Sequence, residues 1–144
     1  MSVVSLPLFF AGCGADVEDT DAELRAWIAE AEAAAEDKDR RGLLSKVSER
    51  YADARGNERD DLNNILRALM LRQKSIELLT KIDGIEPLGT SAANIELTVA
   101  MAGTKATHFG VDADAYRFEL ELERQDGDWQ LIGARWGELG SNVR

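Results

Sequence analysis

Cys13, the single cysteine of the chain, stands in "LPLFFAGCG", residues 6–14, directly after a run without charge. A cysteine attacks as the thiolate, which needs a base or a local positive field. The residues that follow include Asp16, Glu18 and Asp19, so a catalytic thiol is disfavoured. With no second cysteine, no disulfide forms within one chain. His108, the sole histidine, lies in "GTKATHFGVDAD", which excludes a zinc site built from two or three imidazoles of one chain and reads as an exposed loop residue. Asp112 and Asp114 have the spacing that starts a calcium loop, but the glycine and terminal glutamate of an EF-hand are missing from the required offsets. No metal is expected. Gly12 and Gly14 do not lie between a strand and a helix, so they form no phosphate loop. Proton abstraction beside a carbonyl needs a carboxylate in an apolar pocket and hydroxyl donors for the developing oxyanion. Asp53, Asp114 and Tyr116 are of the right types, but no spacing motif joins them. No catalytic residue is assigned, and no cofactor is expected.

The charge balance narrows the partners. Acids number 27 against 17 bases, a net charge of −10, so a polyanion such as nucleic acid is repelled. Residues 16–39 hold ten of the acids against Arg25 and Lys38, which reads as a solvated helix face. A chain of 144 residues is the usual size of one domain with one core.

These residues must be positioned by elements that the periodicity shows. In "DTDAELRAWIAEAEAAAEDKD", Leu24, Trp27, Ile28, Ala31 and Ala35 form one stripe, predicting an amphipathic helix that Thr20 or Asp21 would cap. Leu43, Leu44, Val47 and Tyr51 predict a second, shorter helix that Gly56 closes. Asn57 would cap a third, "ERDDLNNILRALMLRQ", with Leu62, Ile65, Leu66, Leu69 and Met70 on one face. The period then changes to two. "NIELTVAM" and "AYRFELELERQDGDWQLIGARW" alternate apolar with polar residues, and Asp126-Gly127 supplies a hairpin turn. For "SIELLTKIDGIEPLG", Gly84 and Pro87 favour a strand over about 75–88, with a bulge near Leu79 to absorb the doubled apolar residues. The expected fold is α+β: three N-terminal helices packed on a four-stranded antiparallel meander.

Phe10, Ala11, Gly12 and Cys13 resemble a bacterial lipobox, in which small residues admit a peptidase and the cysteine becomes the lipidated first residue. The resemblance implies a signal segment over 1–13, a mature domain over 14–144, and a lipid anchor on Cys13 at the periplasmic side of the cell envelope. A plain secretion signal or a disordered start is the alternative. The apolar run is far shorter than the ~20 residues a spanning helix needs. Three stretches resemble the nuclear transport factor 2-like superfamily, which includes SnoaL-like cyclases and ketosteroid isomerases: "LLSKVSERYADARGNERDDLNNILR", "IDGIEPLGTSAANIELTV" and "DGDWQLIGARWGEL". The resemblance implies a cystatin-like cone, a curved sheet wrapped around the helices with a pocket at its open end, and frequent pairing of two sheets into a homodimer. The residues offered to line such a pocket are Trp27, Tyr51, Met70, Tyr116 and Trp136, each of which also reads as ordinary core.

The expectation is thus a non-enzymatic, envelope-anchored lipoprotein whose cone binds a small apolar molecule or a protein. The alternative is a small-molecule enzyme of the SnoaL-like type, an isomerase, cyclase or hydratase.

Overall fold

The computed structural model describes residues 14–105 and 111–144, with side chains described for 18–102 and 114–144. Cys13 and His108 lie outside the described residues. Three helices precede four strands: α1 Gly14–Glu36, α2 Arg40–Ser45, α3 Arg59–Arg72, β1 Gln73–Leu88, β2 Ala92–Lys105, β3 Val111–Gln125 and β4 Asp128–Glu138. The strands form one antiparallel sheet in the order β1-β2-β3-β4. This is the α+β arrangement that the change of period predicts, with the helices on one face of the sheet.

The register sorts the inner face into rows. Pro87, Ala93, Leu122 and Leu131 form the first; Ile85, Ile95, Leu120 and Ala134 the second; Ile82, Leu97, Phe118 and Trp136 the third. Leu24, Trp27 and Ile28 of α1 cover these rows and bury Ala93, Ile95, Leu97, Leu120 and Leu122. Each large aliphatic side chain so buried contributes about 1.5–3 kcal/mol. Beyond them the inner face continues with Thr80, Val99 and Tyr116, then Leu78, Met101 and Asp114, none of which is buried, before Ile76 and Gln73 of β1 are buried again. The sheet thus has a filled half and an open half.

Four local expectations need correction. α1 starts at Gly14, so Thr20 does not cap it but sits inside it, 3% exposed. α2 stops at Ser45 rather than continuing to Tyr51. Val47 instead pairs in parallel with Leu131, and the N–H groups of Ser48 and Ala52 donate to the Leu131 and Ile132 carbonyls. The edge of β4 offers unpaired backbone groups, and satisfying them outweighs a further helical turn. α3 is capped by Glu58 in a reciprocal capping box with Asp61. Asn57 is spent on Asp53. In β1 the register shifts not near Leu79 but between Gln73 and Ser75 and between Ile82 and Gly84, and at the second shift Asp83 accepts from Thr98 Oγ1 at 2.6 Å. Leu79 needs no bulge because it points outward, 75% exposed.

α3 is the element that matters for the open half. Before its start, Arg55 stacks over Trp136 on β4, 4.3 Å from the ring centroid, and donates to the Trp136 carbonyl. Its last residue runs directly into Gln73, the first of β1. Its ends are therefore tied to opposite edges of the sheet, and its 14 residues, about 21 Å long, exceed the ~14 Å between the outer strands. Leu62, Leu66, Leu69 and Met70 on its covered side are half-buried, and no residue of the helix is fully buried.

Candidate functional site

An apolar helix face above an apolar sheet normally closes into core. Here closure is incomplete: Leu62, Leu66, Leu69 and Met70 on α3, and Leu78, Val99, Met101, Tyr116, Phe118 and Trp136 on the sheet, all keep partial exposure, although Val99 and Phe118 pack against the core cluster. Tyr116 and Phe118 stand on one face of β3 with ring centroids 6.4 Å apart, and Phe118 is the cross-strand partner of Trp136. The result is an aromatic wall where the third covered row meets the open half of the inner face. Such a surface takes up flat or elongated apolar molecules, each ring offering a large contact area at small entropic cost.

The structure does not gather the five residues that the sequence points to into one place. Tyr116 and Trp136 both neighbour Phe118 at the aromatic wall, and Met70 lies on α3. Trp27 belongs to the filled half, where its Nε1 donates to the Trp129 carbonyl at 3.1 Å and Lys46 sits 5.6 Å over its ring. Tyr51 is 2% exposed and donates its hydroxyl to Asp53 Oδ2 at 2.8 Å. Phe118 is absent from the sequence-based set, although it shares a strand face with Tyr116 and the alternation alone could have placed it there. Asp114 stands on the inner face two positions before Tyr116 and is exposed.

Asp53 organises the loop before α3. Its Oδ1 accepts from the N–H groups of Arg55 and Asn57 at 2.9 and 3.0 Å, and its Oδ2 accepts from Tyr51 and Asn57 Nδ2. Burial opposes ionisation, but the hydrogen bonds from Asn57, Tyr51 and Arg55 outweigh it and hold the carboxyl below its ordinary range. Burial, aided by the neighbouring carboxylate, pushes the Tyr51 phenol well above its ordinary value. A neutral, buried phenol bonded to a fixed carboxylate is a structural staple. At the filled end, Glu23 accepts from Trp129 Nε1 at 2.9 Å and from Arg124 Nη2 at 2.7 Å, which lowers its pKa, and Arg124 also stacks on Trp129.

The outer face is a different surface. Asp53 and Ala52 form one wall of a cleft of about 330 Å³ over Glu86, Glu96, Glu119 and Glu121, and Arg135 and Arg117 pair with Glu119 and Glu96 there at 2.6 and 3.2 Å. Among the described residues no group of three or more His, Cys, Asp or Glu side chains is placed to hold a metal ion. No helix among them is long and apolar enough to cross a membrane.

No protein-family model matches the sequence, and no curated protein is significantly similar to it. Solved structures are similar in fold. A protein assigned as a scytalone dehydratase from Novosphingobium aromaticivorans matches with a TM-score of 0.76 at 12% identity, over 88% of this chain and 90% of that one. A hexachlorocyclohexane dehydrochlorinase from Novosphingobium barchaimii matches at 0.71 and 12%, over 90% and 92%. A nuclear transport factor 2-like superfamily protein from Salmonella enterica matches at 0.70 and 14%, over 85% and 92%. With helices packed in this order on a four-stranded meander, the chain has the fold of the nuclear transport factor 2-like superfamily.

Proposed function

We propose that the chain is a binding domain that takes a small apolar molecule between α3 and the open half of the sheet, and that a lipid on Cys13 holds it at the cell envelope. One observation carries the binding reading: the apolar residues Leu62, Leu66, Leu69 and Met70 of α3 and Tyr116, Phe118 and Trp136 on the inner face of the sheet all keep partial exposure. N-phenyl-1-naphthylamine, a neutral fluorophore that brightens in apolar surroundings, tests it. Emission should rise saturably with the wild type, and affinity should fall about tenfold for Phe118→Ala. A wild type that leaves the dye dark contradicts the reading. The anchor is supported by Phe10 to Cys13 alone. Processing should be blocked by a lipoprotein signal-peptidase inhibitor, and a protein whose size and membrane fractionation ignore that inhibitor has no such anchor.

An enzyme in the same space is the second reading, favoured by Asp114 on the face of Tyr116 and by neighbours that include a dehydrochlorinase. The two readings differ in the fate of a ligand isolated with the protein. A binding domain returns it unchanged. An enzyme consumes it, and Asp114→Asn would stop its consumption while leaving its binding.

A further inference from the structure

The second half of α3 keeps bases and apolar side chains on the side turned away from the sheet. From Leu62 to Ile76 the chain has no acid and three bases, Arg67, Arg72 and Lys74, in a protein whose net charge is −10. All three are exposed. Among the described residues none of them has a carboxylate within ion-pair distance, whereas Arg50, Arg117, Arg124 and Arg135 each have one. Leu71 is 72% exposed and Ile65 45%, and Ala68 is exposed with them. At about 100° per residue Ala68 and Leu71 are neighbours on the helix surface, with Arg72 just beyond Ala68 and Arg67 just beyond Leu71. The half-buried Leu62, Leu66, Leu69 and Met70 lie on the opposite side, so folding leaves this strip uncovered.

A single exposed leucine is ordinary, but one rimmed by unpaired cations on a helix fits the boundary between lipid headgroups and acyl chains. There the bases meet phosphates and the aliphatic side chain leaves water. We propose that this strip of α3 docks on an anionic lipid surface, with Leu71 inserted and Arg67, Arg72 and Lys74 on the headgroups. The acids of the chain do not cancel it. Charges are screened beyond about 8 Å at physiological salt, and Asp60 and Asp61 in the first turn stand at least about 16 Å along the helix from Arg72. Glu77 lies on the outer side of β1 with Leu79, away from the helices. An acidic protein would meet the bases equally well but would need an apolar pocket for Leu71, whereas anionic lipid supplies charge and apolar depth together. The inference depends neither on Cys13 nor on the space under α3.

The test sediments the full chain, carrying Cys13→Ser so that it cannot be acylated, with two kinds of vesicle: phosphatidylcholine alone, or phosphatidylglycerol and phosphatidylcholine in equal parts. The mixed vesicles should bind it on the order of a hundredfold more tightly, about fivefold for each of the three bases. In that background Arg67→Gln with Arg72→Gln should weaken binding to the mixed vesicles about 25-fold, and Leu71→Gln about tenfold. All three positions are exposed, so circular dichroism should be unchanged, and Lys74→Gln, with an expected loss of about fivefold, replaces the arginine pair if that variant is unfolded. Equal affinity for the two kinds of vesicle, or variants that bind the mixed vesicles as tightly as the unsubstituted chain, would overturn the proposal. Binding that needs the arginines but ignores Leu71→Gln would overturn the inserted strip and point to an acidic macromolecule instead.

Discussion

Asp53 gathers donors from Tyr51, Arg55 and Asn57 onto one carboxylate, and the consequence of removing it is larger than that of removing any one donor. Asp53→Ala leaves the buried Tyr51 hydroxyl without a partner and should cost about 2–3 kcal/mol in a urea titration; Tyr51→Phe, which removes both the buried hydroxyl and its need, should cost about 1 kcal/mol. Equal losses would show that the staple does not act through the buried phenol. The carboxyls of Asp53, Glu23 and Asp83 all have folded pKa values lowered from the ordinary ones. Groups of this sign stabilise fully above their unfolded values, and that stability is lost as pH falls through the folded ones. Thermal unfolding followed from neutral pH downward should therefore stay level until the ordinary carboxylate range and decline below it. In sequence, Trp27, Tyr51 and Trp136 look alike, three aromatics at helical or strand spacing. What separates them is tertiary: Trp27 is covered by the filled half, Tyr51 lies where the chain pairs with the β4 edge, and Trp136 carries Arg55 over its ring at the open half.

Among the elements, the strands are the more legible because alternation survives whatever packs on them. The 75–88 reading falls short of β1 by two residues, and the turn at Asp126-Gly127 is a two-residue hairpin with φ of 51° and 86°. Both values are left-handed, as a type I′ turn requires. Nothing lies within 4 Å of where a Cβ on Gly127 would stand, so Gly127→Ala tests the backbone alone. It should cost about 1 kcal/mol, and an unchanged unfolding midpoint would contradict that turn. The helices are less legible at their ends. Val47 and Tyr51 continue the apolar spacing of Leu43 and Leu44, yet the chain leaves the helix at Ser45 because the edge of β4 is there to be paired. Nothing within those few residues announces Leu131 as the pairing partner of Val47, because the two meet only once the sheet has formed. The same limit hides the open half of the sheet. The apolar face of α3 can be read, but that it spans a half-filled surface depends on where Arg55 and Gln73 tie its ends.

At the scale of the whole molecule, the outer face of the sheet carries one apolar row among charged ones. Leu79, Ala100 and Ala115 are cross-strand partners, and Leu139 donates its N–H to the Ala115 carbonyl, with Leu79 and Leu139 75% and 60% exposed. We propose that two copies pair through this row. Light scattering should show the share of dimer rising with protein concentration, and monomer for Leu79→Asp. A mass that ignores both changes would rule out pairing by this face. The central claim is that a ligand lies between α3 and the inner face, and methionine methyl resonances report on it directly. The chain has three methionines: Met70 on α3, Met101 on the inner face of β2, and Met1, which lies outside the described residues. Adding N-phenyl-1-naphthylamine to methyl-labelled protein should shift Met70 and Met101 together, with nuclear Overhauser effects from both methyls to the same ring. Saturable binding that leaves both methyls unmoved would place the ligand elsewhere and contradict the claim.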